Sequence, residues 1–197
     1  VLELAGLFLW PVIAVAWHRF ILMGDAPAGA FRFSFGRREA RFLLVSVFLF
    51  LILVPGAVLA VAAGQMAQTM TGSLLSFFGL LLLLVSIYFF VRLSLLLPAV
   101  SIGDPVDPRL VLERTRGNFW RLAAVFLSVA LPVLVLGLLL GSLLGGGLAL
   151  QAISIAAFAL VSVFFAVVNV AVLSIAYREL VGPPGSVPSS ARTDPSL

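Results

Sequence analysis

Five stretches of this chain run for about twenty residues or more with no charged side chain in their middles. That restricts the fold more than any other feature. They are Leu2–Phe20, Phe42–Ala63, Ser73–Leu97, Phe119–Gly145 and Leu148–Tyr177. At a rise of about 1.5 Å per residue, about 20 apolar residues cross the hydrocarbon of a bilayer as a helix. The last stretch, at about 45 Å, is expected to tilt or project. Membrane strands would alternate apolar and polar residues over about ten positions. The runs Phe48–Pro55 and Leu80–Val85 are apolar on every face, which selects helices.

Composition agrees. Of 197 residues, 62% are hydrophobic and 10% charged, against about 45–50% and about 25% in soluble domains. The predicted class is an all-α, polytopic transmembrane bundle with five spans, forming a helical domain over 1–181. The tail over 182–197, GPPGSVPSSARTDPSL, has turn formers and no apolar periodicity and is expected to be disordered and cytoplasmic. No cysteine is present, which excludes disulfides, thiolate metal sites and cysteine nucleophiles. The net charge of +4 reflects few charges rather than a nucleic-acid-binding surface.

Every basic residue is an arginine, and the arginines are sorted. Arg19, Arg32, Arg37, Arg38 and Arg41 fall between the first two stretches. Arg92, Arg109, Arg114, Arg116 and Arg121 fall around the connection between the third and fourth, and Arg178 and Arg192 follow the fifth. Connections 64–72 and 142–150 carry no charge. The positive-inside rule makes the arginine side cytoplasmic, with Val1 outside and the C-terminus inside. An outside N-terminus on a chain that does not start with methionine suggests a further upstream helix, giving six spans in the intact protein. Arg37, Phe42, Pro55 and Gly64 repeat at one offset as Arg114, Phe119, Pro132 and Gly141. This spacing reads as a parallel repeat of hairpins or as a product of low complexity.

Small residues four apart share a helix face and let backbones approach. Gly56, Ala60 and Gly64 form one such trio, and Gly137, Gly141 and Gly145 another. Both predict close packing inside the bundle or dimerisation between chains, with the second and fourth spans touching each other or meeting small residues elsewhere; Gly141→Ile is expected to destabilise the fold or the oligomer. Pro11, Pro55 and Pro132 are expected to kink helices rather than break them into ion sites, since no acidic residue accompanies any. The spans lack mid-membrane charge, which disfavours ion-coupled transport. Asn169 is the main deep polar residue, expected to form an interhelical hydrogen bond. His18, beside Trp17 and Arg19, is expected at the interface, because a lone histidine makes a poor metal site.

On the arginine side, Asp107-Pro108 is a helix-start signal. A short interfacial helix is predicted over Arg109–Arg116, ended by Gly117-Asn118 and supported by an Arg109–Glu113 pair. Phe31–Phe35 alternates aromatic and polar residues, as in an extended surface segment. The second and fourth spans open at Arg37, Arg38 and Arg41 and at Arg114, Arg116 and Arg121. Free N–H groups with guanidinium forks form a candidate phosphate cradle; ordinary anchoring to anionic lipid is the alternative. No catalytic constellation appears: His18 has no carboxylate partner, and Gly145-Gly146-Gly147 lacks the lysine of a phosphate-binding loop.

Three stretches carry a family resemblance: Arg92–Ala99 (RLSLLLPA), Thr115–Leu122 (TRGNFWRL) and Tyr177–Leu180 (YREL). With Trp17–Phe20 and Gly36–Glu39, they resemble the glycerophosphoryl diester phosphodiesterase membrane-domain family, although Leu112 stands where the family favours tryptophan. The resemblance implies a six-helix bundle in the bacterial inner membrane. It implies no activity here, because the chain has no room for the catalytic barrel. The expected function is a non-enzymatic scaffold or accessory subunit without cofactors, binding phospholipid headgroups or other membrane subunits through its arginine face. The alternative is a transporter or lipid-handling protein for a weakly polar substrate, for which a cavity at Asn169 is the distinguishing feature.

Overall fold

Where no water can satisfy a backbone N–H or C=O, a helix closes those bonds within one segment. Helix is the only regular structure among the described residues of the computed structural model. These are 2–24 (side chains from Phe8), 35–66, 69–142 and 147–185. Phe31–Ser34, Arg32, Gly145, Arg192 and tail residues 186–197 lie outside them. The helices are α1 Leu2–Met23, α2 Arg37–Gln65, α3 Met70–Leu93, α4 Leu96–Ile102, α5 Pro108–Arg114, α6 Phe119–Ser142 and α7 Leu148–Leu180. Those long and apolar enough to cross a membrane are α2, α3 continued by α4, α6 and α7; the apolar part of α1, Phe8–Met23, is shorter. The chain is a multi-pass helical membrane bundle. Helices α1, α2 and α6 continue through Pro11, Pro55 and Pro132, so no proline divides its helix.

The third predicted span does divide. Pro98 has no N–H to offer the ladder, so α3 stops and α4 starts two residues upstream of it, where a first turn tolerates proline. The Leu97 N–H turns back to the Ser94 carbonyl at 3.0 Å. This break sets Leu95 and Leu96 at the centre of the main core, with Leu49, Val111, Leu122, Leu173 and Tyr177 around them. Gly103 then ends α4 with φ +85°, a left-handed conformation that favours glycine. The short helix predicted on the arginine side is present as α5. The Asp107 carboxylate caps it, accepting from the N–H groups of Arg109 and Leu110 at 2.8 and 3.3 Å.

The core is lopsided. Buried residues of α7 gather toward its arginine-bearing end at Val170, Leu173, Ser174 and Tyr177, and Leu122 is the buried residue of α6. Helix α1 belongs to the same half: Ala14 and Val15 pack with Phe42, Val100 and Val170. The Phe8 ring meets Phe35 edge-on at 5.4 Å. Phe8 therefore lies beside the start of α2, whereas crossing antiparallel to α2 would carry it toward the far end.

The small-residue trios behave unequally: the second span meets a small residue of α3 rather than the fourth span, and the closest packing falls within the hairpins. Helix α2 packs chiefly on α3, α6 packs on α7, and α3 touches both α2 and α6. A β-carbon added at Gly56 would stand 2.6 Å from the Leu83 Cα, and one at Gly79 would stand 3.1 Å from the Ala60 nitrogen. Gly56 and Ala60 thus seat α2 on the backbone of α3, as small residues do in membranes. Gly137 meets only the Phe158 ring, while Gly64 and Gly141 face open space. Within the single bundle the β-carbon of an isoleucine at Gly141 would therefore meet no neighbour.

Gly56→Val is expected to force α2 and α3 apart and to cost about 2 kcal/mol or more. Gly141→Ala should change stability by less than about 1 kcal/mol. Thermal unfolding of both variants in detergent compares them; equal midpoints would contradict the hairpin contact.

Candidate functional site

The sequence places Arg92 among the sorted arginines and in the RLSLLLPA stretch without marking it as a core residue, yet it is 7% exposed. A guanidinium away from water needs its donors filled. Nε donates to Thr115 Oγ1 at 2.9 Å, the terminal nitrogens donate to Tyr88 Oη and the Leu112 carbonyl, and the cation lies 5.0 Å from the Tyr88 ring centroid. Thr115, fully buried, passes its own proton to the Val111 carbonyl at 2.8 Å. None of these partners is a carboxylate. The charge instead sits at the C-terminal ends of α3 and α5, where helix dipoles favour a cation. The four-residue spacing of Tyr88 and Arg92, which puts both on one helix face, is the signal that could have found this pair.

Two further contacts close the same end. Tyr177 on α7 donates to Asp104 Oδ2 at 2.9 Å, and the Gly185 N–H reaches Asp104 Oδ1 at 3.4 Å. His18 is buried inside the bundle: it is 1% exposed, with Nδ1 2.7 Å from Ser174 Oγ. Because the Ser174 hydroxyl donates to the Val170 carbonyl at 2.8 Å, Ser174 accepts from Nδ1–H, which selects that tautomer. Trp17 and Arg19 as neighbours suggested an interface position, but the contact that decides lies 156 residues away. Arg92, Thr115 and Tyr177 come from the three stretches that carry the family resemblance.

Around this packed end, Arg37, Arg38, Arg41, Arg114, Arg116 and Arg121 are all exposed. Among the described residues none of the six forms an ion pair, and the expected Arg109–Glu113 pair does not close. The two helix mouths differ. At α2 the Glu39 carboxylate turns back to the Gly36 N–H at 2.9 Å, so an internal anion already occupies that N-terminus. The first turn of α6 holds no acidic residue, and Trp120 beside it is 80% exposed.

Between α6 and α7 an open groove of about 750 Å³ runs from Phe126 and Asn169 toward Leu138 and Phe158. A smaller cavity of about 230 Å³ continues it past Gly141 to Ser154. The groove exists because no small-residue contact draws these helices together as Gly56 draws α2 onto α3. Its walls are apolar apart from Ser162 and Asn169. Asn169 lines it and makes no hydrogen bond among the described residues, so the expected interhelical bond is absent; no polar side chain of α6 stands opposite.

The described residues hold no cluster of three or more metal-ligating side chains. Comparison with family models, curated proteins and solved structures gives no match for this chain.

Arg92→Gln is expected to leave the Leu112 carbonyl and Tyr88 hydroxyl without their donor and to lose about 2 kcal/mol. Arg38→Gln should change stability by less than about 0.5 kcal/mol. The two melting curves in detergent decide; equal loss would remove Arg92 from the core.

Proposed function

We propose that this chain is a non-enzymatic membrane scaffold or accessory subunit of a bacterial cytoplasmic membrane, and that its arginine-bearing face engages anionic phospholipid headgroups. The C-terminal segment then lies in the cytoplasm, because the arginines gather at that end of the helices. The observation that carries this reading is the set of six exposed arginines, none in an ion pair among the described residues, at the ends of α2, α5 and α6 near the best packed part of the bundle. A fixed platform with free guanidinium groups meets phosphate without first reordering itself. A partner subunit with acidic residues would use the same face. The resemblance of three of its stretches to the glycerophosphoryl diester phosphodiesterase membrane-domain family supports the location and adds no activity.

Lipid handling is the second reading, favoured by the α6–α7 groove and the unbonded carboxamide of Asn169 within it. The apolar helices supply no charged pathway, so any substrate would be lipid-like or weakly polar.

In bilayers of phosphatidylglycerol and phosphatidylcholine with bromine on one lipid at a time, brominated phosphatidylglycerol is expected to quench tryptophan fluorescence more strongly. The triple variant Arg114→Gln, Arg116→Gln and Arg121→Gln should lose most of this preference, at about 1 kcal/mol per arginine. Arg37→Gln with Arg38→Gln and Arg41→Gln should lose less, because Glu39 already sits at that helix mouth. Equal quenching of the native chain by both lipids would overturn the reading.

A further inference from the structure

Helix α7 carries polar side chains with and without partners. Ser154 and Ser174 each donate to the carbonyl four residues back at 2.8 Å, and Tyr177 donates to Asp104. Asn169 and Ser162 make no hydrogen bond among the described residues, and both line the α6–α7 groove. Tyr177 stands at the charged end. Asn169 lies eight residues from it, about 12 Å by helical rise, and Ser162 about 10.5 Å further. In hydrocarbon about 30 Å thick, these positions fall on either side of the midplane. The ester oxygens of a phospholipid lie at the edges of that layer, so lipid tails cover these side chains without bonding them. The two belong to a seam of Ile155, Phe158, Ser162, Phe165 and Asn169. Its steps alternate between three and four residues, which holds all five within about 80° of arc around α7. Such spacing is that of a face made to meet another helix. Further along, the same face is buried in the core as Leu173. Away from the core it opens, until Phe158 is 41% and Ile155 57% exposed.

We infer that two copies of this chain pair through α7, each laying this seam along the α6–α7 groove of the other, with the two Asn169 carboxamides bonded to each other. The requirement for a partner comes from the amide: unbonded in hydrocarbon it is costly, and at its depth only protein supplies a donor or acceptor. The choice of a second copy comes from symmetry and charge. Copies inserted in one membrane share an orientation, so the axis of a closed pair runs along the bilayer normal. A residue near that axis meets its own counterpart at its own depth. Such a residue has to complement itself. A carboxamide and a hydroxyl each donate and accept, so Asn169 and Ser162 satisfy this; a carboxylate or guanidinium would repel its copy, and the groove is lined by neither. Ser162 and Ala166, four residues apart, are small enough for the two backbones to approach. The pairing uses none of the six exposed arginines and stands apart from the headgroup reading.

The test uses the full chain in phosphatidylcholine bilayers, where no anionic lipid engages the arginines. The chain has no cysteine, so single cysteines report directly. Ser162→Cys is expected to form a disulfide between copies under a membrane-permeant oxidant, since that bond needs Cα atoms within about 7 Å. Leu160→Cys, on the opposite side of α7 and 74% exposed, should not. Asn169→Leu removes the amide with little change of shape. It is expected to raise about tenfold the protein density at which fluorescently labelled copies associate, whereas Asn169→Gln keeps most of the association. Melting curves confirm that each variant is folded. Monomers at every density, equal crosslinking at positions 160 and 162, or association unchanged by Asn169→Leu would overturn the pairing. So would monomers that retain a lipid in native mass spectrometry and lose it with Asn169→Leu, which would give the groove to a lipid instead.

Discussion

A charge removed from water has to be met by other groups, and in this bundle that requirement falls on Arg92. Its guanidinium draws together the end of α3, the end of α5 and the ring of Tyr88, which in turn leans on Phe119 at the start of α6. No carboxylate compensates the charge; hydroxyls, a carbonyl and two helix C-termini do. Because these partners come from separate segments, satisfying the cation also fixes how the segments pack. Leu95, Leu96, Val111 and Leu122 close around the same place, so the apolar core and the polar contacts share one location.

Two distinct kinds of packing follow. At the arginine-bearing end, α1, α4, α5 and α7 are joined by side chains of high specificity, including His18 to Ser174 and Tyr177 to Asp104. Away from that end, contact depends on whether a helix offers a small residue to its neighbour. Helix α2 does, through Gly56 and Ala60. Helix α6 offers Gly137 only to a phenylalanine ring, and the two helices of that hairpin stand apart along a groove.

The helices and the sorting of the arginines to their ends were legible because hydrocarbon acts on composition locally: about twenty apolar residues and a cluster of arginines need no tertiary information. The α5 cap was equally local, since Asp107 and Pro108 act on the next turn. What stayed hidden depends on distant partners. His18 looks interfacial beside Trp17 and Arg19 until Ser174 is placed on it, and Arg92 resembles any other arginine until α5 folds over it. The glycine spacing announced close approach but not which helix would answer it. Gly56 found the backbone of α3, while Gly141 found nothing. Asn169 reads as a bonding partner in sequence, yet no acceptor or donor stands across from it.

The unequal hairpins give the molecule two mechanical characters. With Gly56 set against Leu83, α2 and α3 cannot slide past each other without side chains meeting backbone, and separating would forfeit that close contact, so the pair behaves as a rod of fixed length. Helix α7 is about 50 Å long at 33 residues, clamped at one end through Ser174 and Tyr177 and loosely held along the rest. When the surrounding bilayer thins or thickens, the change in tilt that long helices use to stay matched would fall on α6 and α7. The bundle thus meets a membrane of variable thickness with one stiff side and one compliant side.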